Sequence, residues 1–284
     1  MTATAPAIAD VRTHPIGLVP AFLVCAAAIS LFGFQLKLPG YALLAAGLVI
    51  AWLVDRSGRT ERLAADLLLI AIGQVIISTM PLEADISYWN MVRFAVVLGG
   101  AVAVPYVVSR YVYGDRVIRF PWRTGRRWTR TQWLYLIGVT FAGWLILPFY
   151  FITSGVYANW PTVVEPDAIA RLFVGVNAVG TWDELFFICT VFALLRRHFT
   201  TWQANILQAI VFVSFLWELG YQAWGPLLTI PFALIQGYTF KLTKSLTYVL
   251  VVHLIFDAVV FMVIVYAHNG WPAIFPFVPG GVAG

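Results

Sequence analysis

Long apolar segments, separated by short polar stretches, run along almost the whole chain. A bilayer core of about 30 Å needs roughly 20 apolar residues for each spanning helix. Nine segments meet or approach this length, at about 16–36, 39–54, 63–80, 91–113, 132–154, 168–195, 202–222, 226–242 and 245–267. This pattern predicts an all-α fold, a polytopic transmembrane helical bundle with about nine spans.

Basic residues occur in every second loop between these segments. They follow predicted helices 2, 4, 6 and 8, whereas the intervening loops are acidic or neutral. The basic loop residues are Arg56, Arg59, Arg62, Arg116, Arg119, Arg123, Arg126, Arg127, Arg130, Arg196, Arg197, Lys241 and Lys244. Because Lys- and Arg-rich loops remain in the cytoplasm, the alternation predicts a multi-pass protein of the plasma (inner) membrane. Its N-terminus is expected to be cytoplasmic and its C-terminus outside.

Composition supports a bilayer environment. Of the 284 residues, 61% are hydrophobic and 11% are charged, whereas soluble domains carry roughly 25% charged residues. Membrane lipids are therefore expected partners. The net charge of +5 is spread over short loops rather than a basic domain, so no nucleic-acid partner is expected. Cys25 and Cys189 both lie in apolar segments, which suits small buried side chains better than a disulfide.

Five ionisable side chains lie inside the predicted spans: Asp183 and Glu184 in helix 6, Glu218 in helix 7, and His253 and Asp257 in helix 9. A charge at mid-bilayer costs about 2.5–3.5 kcal/mol on insertion scales, so such residues usually mark function. With a rise of about 1.5 Å per residue, all five fall in one layer near the membrane centre. The histidine and the aspartate of helix 9 also share one helix face. We expect the five side chains to converge.

Hydrogen bonding between helices is the alternative explanation for polar residues in a membrane bundle. Four acids and a histidine at one depth, with no lysine or arginine to neutralise them, do not favour it. The acids must be partly protonated, share protons or bind a cation. All three states are used in active sites.

The last third of the chain resembles the CAAX protease and bacteriocin-processing family of intramembrane proteases. The resemblance covers about residues 165–262 and is best over 231–257, PFALIQGYTFKLTKSLTYVLVVHLIFD. This stretch is similar to the family's apolar helix, Gly-x-x-x, short polar turn with Ser-Leu, and helix carrying His-x-x-x-Asn. The resemblance divides the chain into an N-terminal transmembrane region, 1–131, and a C-terminal CAAX-protease-like transmembrane region, 132–284.

Three family motifs can be placed on this sequence. The Glu-Glu-x-x-x-Arg motif falls on Asp183 and Glu184, with Ile188 in place of the arginine. The His-x-x-x-Asn motif falls on His253 and Asp257. The remaining motif, Phe-x-x-x-His, is expected in helix 7, with Glu218 in place of the histidine and Ser214 in place of the phenylalanine.

The resemblance implies roles for these residues. In the family, the motif glutamates and the second-motif histidine activate a water, and the final His and Asn stabilise the oxyanion. Glu184 would accordingly be the general base, assisted by Asp183 and Glu218, with His253 and Asp257 facing the carbonyl oxygen. An ionised Asp257 would repel a developing oxyanion, so it could help only in its protonated form.

Three functions follow as hypotheses. The first is an intramembrane peptidase that acts on a membrane-embedded or lipidated peptide and needs no cofactor. The second is a metal-dependent membrane enzyme acting on a lipophilic substrate, with Fe, Mn or Zn held by Glu184, Glu218, His253 and Asp257, since carboxylates and imidazole suit these metals. The third is a non-catalytic scaffold that binds a membrane protein partner.

Overall fold

The computed structural model describes residues 15–125, 127–271 and 274–278. Several sequence-based expectations fall beyond these ranges. Arg126 of the basic loop lies outside the described residues, as do the two terminal segments, 1–14 and 279–284, whose sides of the membrane were predicted.

The described residues form nine long helices and no strand. We number them α1 (Pro15–Gly33), α2 (Lys37–Arg56), α3 (Leu63–Ile77), α4 (Tyr88–Val112), α5 (Arg130–Thr153), α6 (Pro166–Leu195), α7 (Thr201–Leu219), α8 (Pro226–Thr243) and α9 (Leu246–Asn269). The predicted all-α helical bundle is confirmed. Six helices (α1, α2, α4, α5, α6 and α9) are long and apolar enough to cross a membrane. That α3, α7 and α8 also cross stays a prediction.

Local sequence signals set the ends of these helices. Thr129 and Gln132 form a capping box at the start of α5, and Thr200 and Gln203 form another at the start of α7. Each pair satisfies two backbone N–H groups that have no partner within the helix. Pro226 occupies the first turn of α8, where a missing N–H costs nothing.

The basic loops meet at one end of the bundle, which we call the basic end. Asp66, in the first turn of α3, is buried and accepts hydrogen bonds from His198 at 2.6 Å and Arg197 at 3.2 Å, just after α6. Arg197 also pairs with Asp115, in the loop after α4. Arg62 lies 3.6 Å from the same Asp115 carboxylate. These ion pairs tie three loops together.

The long basic loop also contacts the start of α9. The Leu246 N–H, which has no partner within its own helix, donates to the Pro121 carbonyl at 3.1 Å. The Thr247 hydroxyl donates to the Trp122 carbonyl, and Ile118, in the same loop, is buried in the core. The loop is therefore part of the folded structure at the basic end.

Replacing Asp66 with Asn should lower the free energy of unfolding by about 1–3 kcal/mol, since the hydrogen bonds to a charged acceptor are weakened at a buried site. Thermal unfolding in detergent measures the change. Asp167→Asn is the matched control, because Asp167 pairs with Arg171 at 2.7 Å on an exposed surface. An equal loss in both variants would contradict the importance of the buried network.

The other loops meet at the opposite end, which we call the acidic end. Asn159, between α5 and α6, donates to the Gly220 carbonyl after α7 at 2.8 Å. Asn269, at the end of α9, donates to the Val163 carbonyl at 2.6 Å. The loops that alternate in charge along the sequence therefore gather at two different ends, as an up-and-down bundle requires.

Helix α6 lies at the centre of the bundle. Of its most apolar 18-residue stretch, 72% is buried, against 22–56% for the other five long apolar helices. One large core joins α1–α4 to α6, α7 and α8, and a second core joins α5, α6 and α9 near the acidic end. Side chains that face inward from α6 are therefore shielded from lipid on all sides.

Candidate active site

Two consecutive acids lie where the geometry of α6 changes. Asp183 ends the regular α-helical part, and the segment Glu184–Phe192 is a π-helix. The Trp182 indole N–H donates to the Leu98 carbonyl of α4 at 2.6 Å, which fixes the rotation of α6 at this point. π-Helical turns are rare and often occur at functional sites.

Glu184 forms a hydrogen bond with the imidazole of His253. The Nδ1 atom of His253 donates to Glu184 Oε1 at 2.8 Å. The same oxygen accepts a hydrogen bond from Gln236 Nε2 of α8 at 2.7 Å, and Gln236 also donates to the Val249 carbonyl at 3.0 Å. Both Glu184 and Gln236 are fully buried. With Nδ1 carrying the proton, the other ring nitrogen is left to face the site.

Two aspartates flank that second nitrogen. His253 Nε2 lies 3.6 Å from Asp183 Oδ2 and 3.8 Å from Asp257 Oδ1. All three residues are at least 95% buried. The other oxygens, Asp183 Oδ1 and Asp257 Oδ2, have no hydrogen-bond partner among the described residues. The group therefore contains two buried acceptors without hydrogen-bond partners.

Gly180 allows α9 to approach α6 closely. A Cβ atom at this position would lie 1.8 Å from Asp257 Oδ2 and 3.1 Å from the His253 ring. Only a residue without a side chain leaves room for the Asp257 carboxylate beside the α6 backbone. The glycine thus sets the distance between Asp257 and Asp183.

Aromatic and aliphatic side chains surround the histidine. The Phe232 ring meets it edge to face with centroids 5.0 Å apart, and the Phe212 ring lies 6.1 Å away. Leu216, one turn after Phe212 on α7, lines the space next to His253 and Asp257. The ring therefore has apolar neighbours from both α7 and α8.

A cavity of about 430 Å³ opens from the site between α4 and α6; we call it cavity 1. Asp183, His253 and Asp257 form its inner end, and Asp85 and Ile86 lie at its mouth at the acidic end. The Asp85 carboxyl accepts hydrogen bonds from the Ser87 N–H and hydroxyl, which lower the pKa of Asp85 below its usual range. The mouth is polar and the walls are mainly apolar.

Glu218 does not join this group, so the expected convergence of all five side chains is wrong in this respect. Its carboxylate accepts hydrogen bonds from the Leu82 N–H at 3.2 Å and Gln35 at 3.3 Å, at the acidic end. Glu218 follows Leu216 by two residues, hence by about 200° around the helix. Helix α7 ends at Leu219, so Glu218 lies in its last turn and at the acidic end instead of near the membrane centre.

Glu184 is brought into the group but does not border the cavity. Among the described residues that line cavity 1, the acids of the group are Asp183 and Asp257. Glu184 contacts the imidazole on its far side instead. Glu184 therefore lies on the side of His253 that faces away from cavity 1. There it can orient the ring and stabilise the protonated imidazolium, but it cannot contact a molecule bound in cavity 1.

The side chains do not fit a metal centre. Within the described residues, no three His, Cys, Asp or Glu side chains are arranged to hold a metal ion. Glu184 uses one oxygen on the imidazole Nδ1 and on Gln236, and Glu218 lies at the acidic end. The predicted ligand set of Glu184, Glu218, His253 and Asp257 is thus not assembled.

Sequence reasoning missed Gln236 and Leu216. A neutral amide inside an apolar helix carries no charge to mark it, although Gln236 lies between Ile235 and Gly237 in the segment that most resembles the protease family. Leu216 is aliphatic and has no signal of its own. Both were recognisable only once the contacts of His253 and Glu184 were known.

Gln236→Leu should lower the kcat of a reaction catalysed by the acid–histidine group about tenfold, with little change in its KM. The reason is that Gln236 positions Glu184 without touching the cavity. Gln208→Leu is the matched control. Gln208 is equally buried and donates to the Ala233 carbonyl at 2.9 Å, away from the site. Steady-state kinetics on both variants make the comparison, and similar kcat values would show that Gln236 is merely structural.

The fold and the site define a helical membrane protein. Its buried acid–histidine group lies beside a cavity between two helices of the bundle. Residues 165–259 match the family described as type II CAAX prenyl endopeptidase, Rce1-like. The matched segment is about a third of the chain and contains Asp183, Glu184, Gln236, His253 and Asp257. The family resemblance recognised from the motifs is confirmed over this segment. No curated protein and no solved structure matches the chain.

The geometry also changes the placement of the second motif. Phe-x-x-x-His fits Phe212 and Leu216, since both side chains lie beside His253. The assignment to Ser214 and Glu218 puts one residue in a hydrogen bond to the Ile210 carbonyl and the other at the acidic end. Leucine therefore stands where the motif has histidine.

Proposed function

We propose that this protein is an intramembrane peptidase that hydrolyses a membrane-embedded or lipidated peptide. The observation that carries the proposal is the Glu184–His253 pair, whose free Nε2 faces cavity 1 between Asp183 and Asp257. An acid that orients a histidine by its Nδ1 atom is a common arrangement for general-base catalysis. The pair lies within the Rce1-like segment.

His253 takes the role of general base in this proposal. A water held between His253 Nε2 and Asp183 gives one proton to the imidazole as its oxygen attacks the scissile carbonyl carbon. The imidazolium is stabilised by Glu184 and then delivers the proton to the leaving amide nitrogen as the C–N bond breaks. One product gains the hydroxyl group of water and the other gains the hydrogen.

Asp257 stabilises the oxyanion in its protonated form. A carboxylic acid in apolar surroundings can remain neutral and donate a hydrogen bond to a developing negative charge. Asp257 is 95% buried, packs against Gly180 and lies beside the aliphatic side chain of Leu216. The roles of the histidine and the glutamate are thus exchanged relative to the family pattern, which compensates for leucine at position 216.

The orientation follows from the loop charges. With the basic end in the cytoplasm of the plasma (inner) membrane, the N-terminus is cytoplasmic and the C-terminus outside. Cavity 1 then has its mouth, at Asp85, on the outer side. A peptide entering from the outer leaflet would reach the acid–histidine group without crossing the membrane centre.

Leu216 and Ile188 favour one competing function, a non-catalytic scaffold that binds a membrane protein partner. Each replaces a polar residue of the family motifs with an aliphatic one. Such a scaffold would bind peptides in cavity 1 and leave them intact.

The test uses the purified full-length protein in liposomes with a panel of prenylated and transmembrane peptides, followed by mass spectrometry of the products. We expect cleavage that persists in EDTA and is absent in His253→Gln. Binding of the peptides without cleavage would favour the scaffold. Cleavage lost in EDTA and restored by Zn²⁺, Mn²⁺ or Fe²⁺ would favour the metal-dependent enzyme instead.

A further inference from the structure

Tyr221 lies at the edge of the acid–histidine group, in the loop that follows α7. It lines cavity 1 together with Asp183, His253 and Asp257. Tyr221, Leu216, His253 and Asp257 also line a neighbouring space of about 350 Å³ between α5, α8 and α9. Side chains that border both spaces lie at the junction between them, so the tyrosine is close to the histidine and to Asp257. The reaction proposed for this site leaves the Tyr221 hydroxyl unused.

A sharp turn directs Tyr221 back toward the bundle. Gly220, which follows the last residue of α7, has a φ of +125°, a conformation that residues with a side chain rarely adopt. A Cβ atom at this position would also lie 3.0 Å from the Trp160 ring and 3.1 Å from Asn159. The Tyr221 N–H donates to the Leu216 carbonyl at 2.9 Å, which is the bond expected when a glycine ends a helix in a Schellman motif. The turn therefore brings Tyr221 back over the last turn of α7.

Two side chains hold this turn in place. Asn159 donates to the Gly220 carbonyl at 2.8 Å, and the Tyr150 hydroxyl donates to the Gln222 carbonyl at 2.7 Å. The carbonyl groups of the residues immediately before and after Tyr221 are thus both fixed by α5 and the segment that follows it. The position of the tyrosine backbone does not depend on its own hydroxyl.

The Tyr221 ring is held by two other aromatic rings. It meets Phe151 and Trp160 edge to face, with centroids 5.7 and 5.3 Å away and interplanar angles of 88° and 86°. A phenylalanine would make both contacts, so packing does not require the hydroxyl. Burial raises the pKa of Tyr221 well above its usual range, so the hydroxyl stays protonated at neutral pH. A hydrogen-bond donor with rigid support therefore lies beside the candidate active site.

We propose that the Tyr221 hydroxyl donates a hydrogen bond to the oxyanion formed from the scissile carbonyl, as a second donor beside protonated Asp257. This inference rests on the proposed peptidase function. In other active sites, a tyrosine and a neutral carboxylic acid donate together to one oxyanion. The tyrosine keeps its proton throughout, and the proton of the attacking water still moves through His253 to the leaving nitrogen. Tyr221 is accordingly a catalytic residue that lies outside the three family motifs.

Tyr221→Phe tests the donor directly. Loss of one preorganised oxyanion donor should lower kcat by about 10²–10³-fold. The KM should stay within about threefold of wild type, because the donor acts in the transition state. Steady-state cleavage of the prenylated peptides in liposomes gives both constants, and the melting temperature in detergent shows that the variant is folded. A folded variant with the kcat of wild type would overturn the proposal.

Tyr248→Phe is the matched control. It makes the same chemical change in a buried tyrosine whose hydroxyl donates to the Gln132 carbonyl at 2.8 Å, at the basic end. Its kcat should stay within about twofold of wild type, since this tyrosine does not line cavity 1. Replacing Tyr221 with 3-fluorotyrosine, by amber suppression, keeps the hydroxyl and should retain activity. An equal loss in the fluorotyrosine and phenylalanine variants would show that the hydroxyl is not what matters.

A binding measurement separates this proposal from the peptidase function. The probes are a prenylated hexapeptide and its phosphinate analogue, in which an anionic tetrahedral phosphorus replaces the carbonyl carbon after the prenylated cysteine. The wild type should bind the phosphinate more tightly than the peptide, and Tyr221→Phe should lose most of this preference while binding the peptide equally well. A wild type without the preference, or a variant that keeps it, would overturn the role of Tyr221. A wild type that shows the preference and cleaves no peptide would refute the peptidase and leave the donor standing.

Discussion

Glu184→Gln should lower turnover on the order of 10²–10⁴-fold, the range that general acid–base catalysis contributes. The glutamine oxygen can still accept from His253 and Gln236, so the ring keeps its position. The negative charge that stabilises the imidazolium is lost. Because a buried charge is removed and the hydrogen bonds persist, the melting temperature should stay the same or rise. Peptide cleavage and thermal unfolding in detergent give the two values.

Glu218→Gln is the control for this experiment. It makes the same chemical change in an acid whose carboxylate bonds to Leu82 and Gln35 at the acidic end. Turnover should remain within about twofold of wild type. If Glu218→Gln lost as much activity as Glu184→Gln, the separation of Glu218 from the site would be contradicted.

Gly180→Ala should lower kcat by about 10²-fold, the loss that a displacement of roughly 1 Å can cause at an active site. The new methyl group would lie 1.8 Å from Asp257 Oδ2, so α6 and α9 must separate or the carboxylate must turn away. Overpacking of this kind also costs about 1–3 kcal/mol of stability.

Gly138→Ala, in the middle of α5, provides the comparison because Gly138 does not line cavity 1. A Cβ atom at Gly138 meets nothing within 4 Å, so neither kcat nor stability should fall. Cleavage kinetics and circular dichroism on both variants test the difference. Full activity in Gly180→Ala, with the helical content preserved, would mean that the position of Asp257 is unimportant for catalysis.

The helices were predictable because the bilayer imposes length and hydropathy on each span, and because loop charges mark every second end. The ion pairs of Asp66 with Arg197 and His198 bring basic loops together as that alternation implies. The pairing of His253 with Asp257 was predictable from their spacing of four residues, since such residues share a helix face.

The direction of side chains from different helices was not predictable in the same way. Depth can be counted from a loop, but rotation about the helix axis depends on packing. Glu218 lies in the last turn of α7 and points to the acidic end, whereas Leu216, two residues earlier, lies beside His253 and Asp257. The role of Gln236 depends on a contact between α6 and α8, to which hydropathy is insensitive.

The π-helix Glu184–Phe192 also has an evolutionary consequence. Each backbone hydrogen bond in this segment spans five residues instead of four. The π-helix therefore changes the rotation of one half of α6 relative to the other. Loss or gain of one residue between positions 185 and 192 would rotate Asp183 and Glu184 by about 100° about the helix axis. The rotation is relative to the part of α6 that lies nearest the basic end. A lineage could thus switch this site on or off by a single codon, without mutating Asp183, Glu184 or any residue they touch.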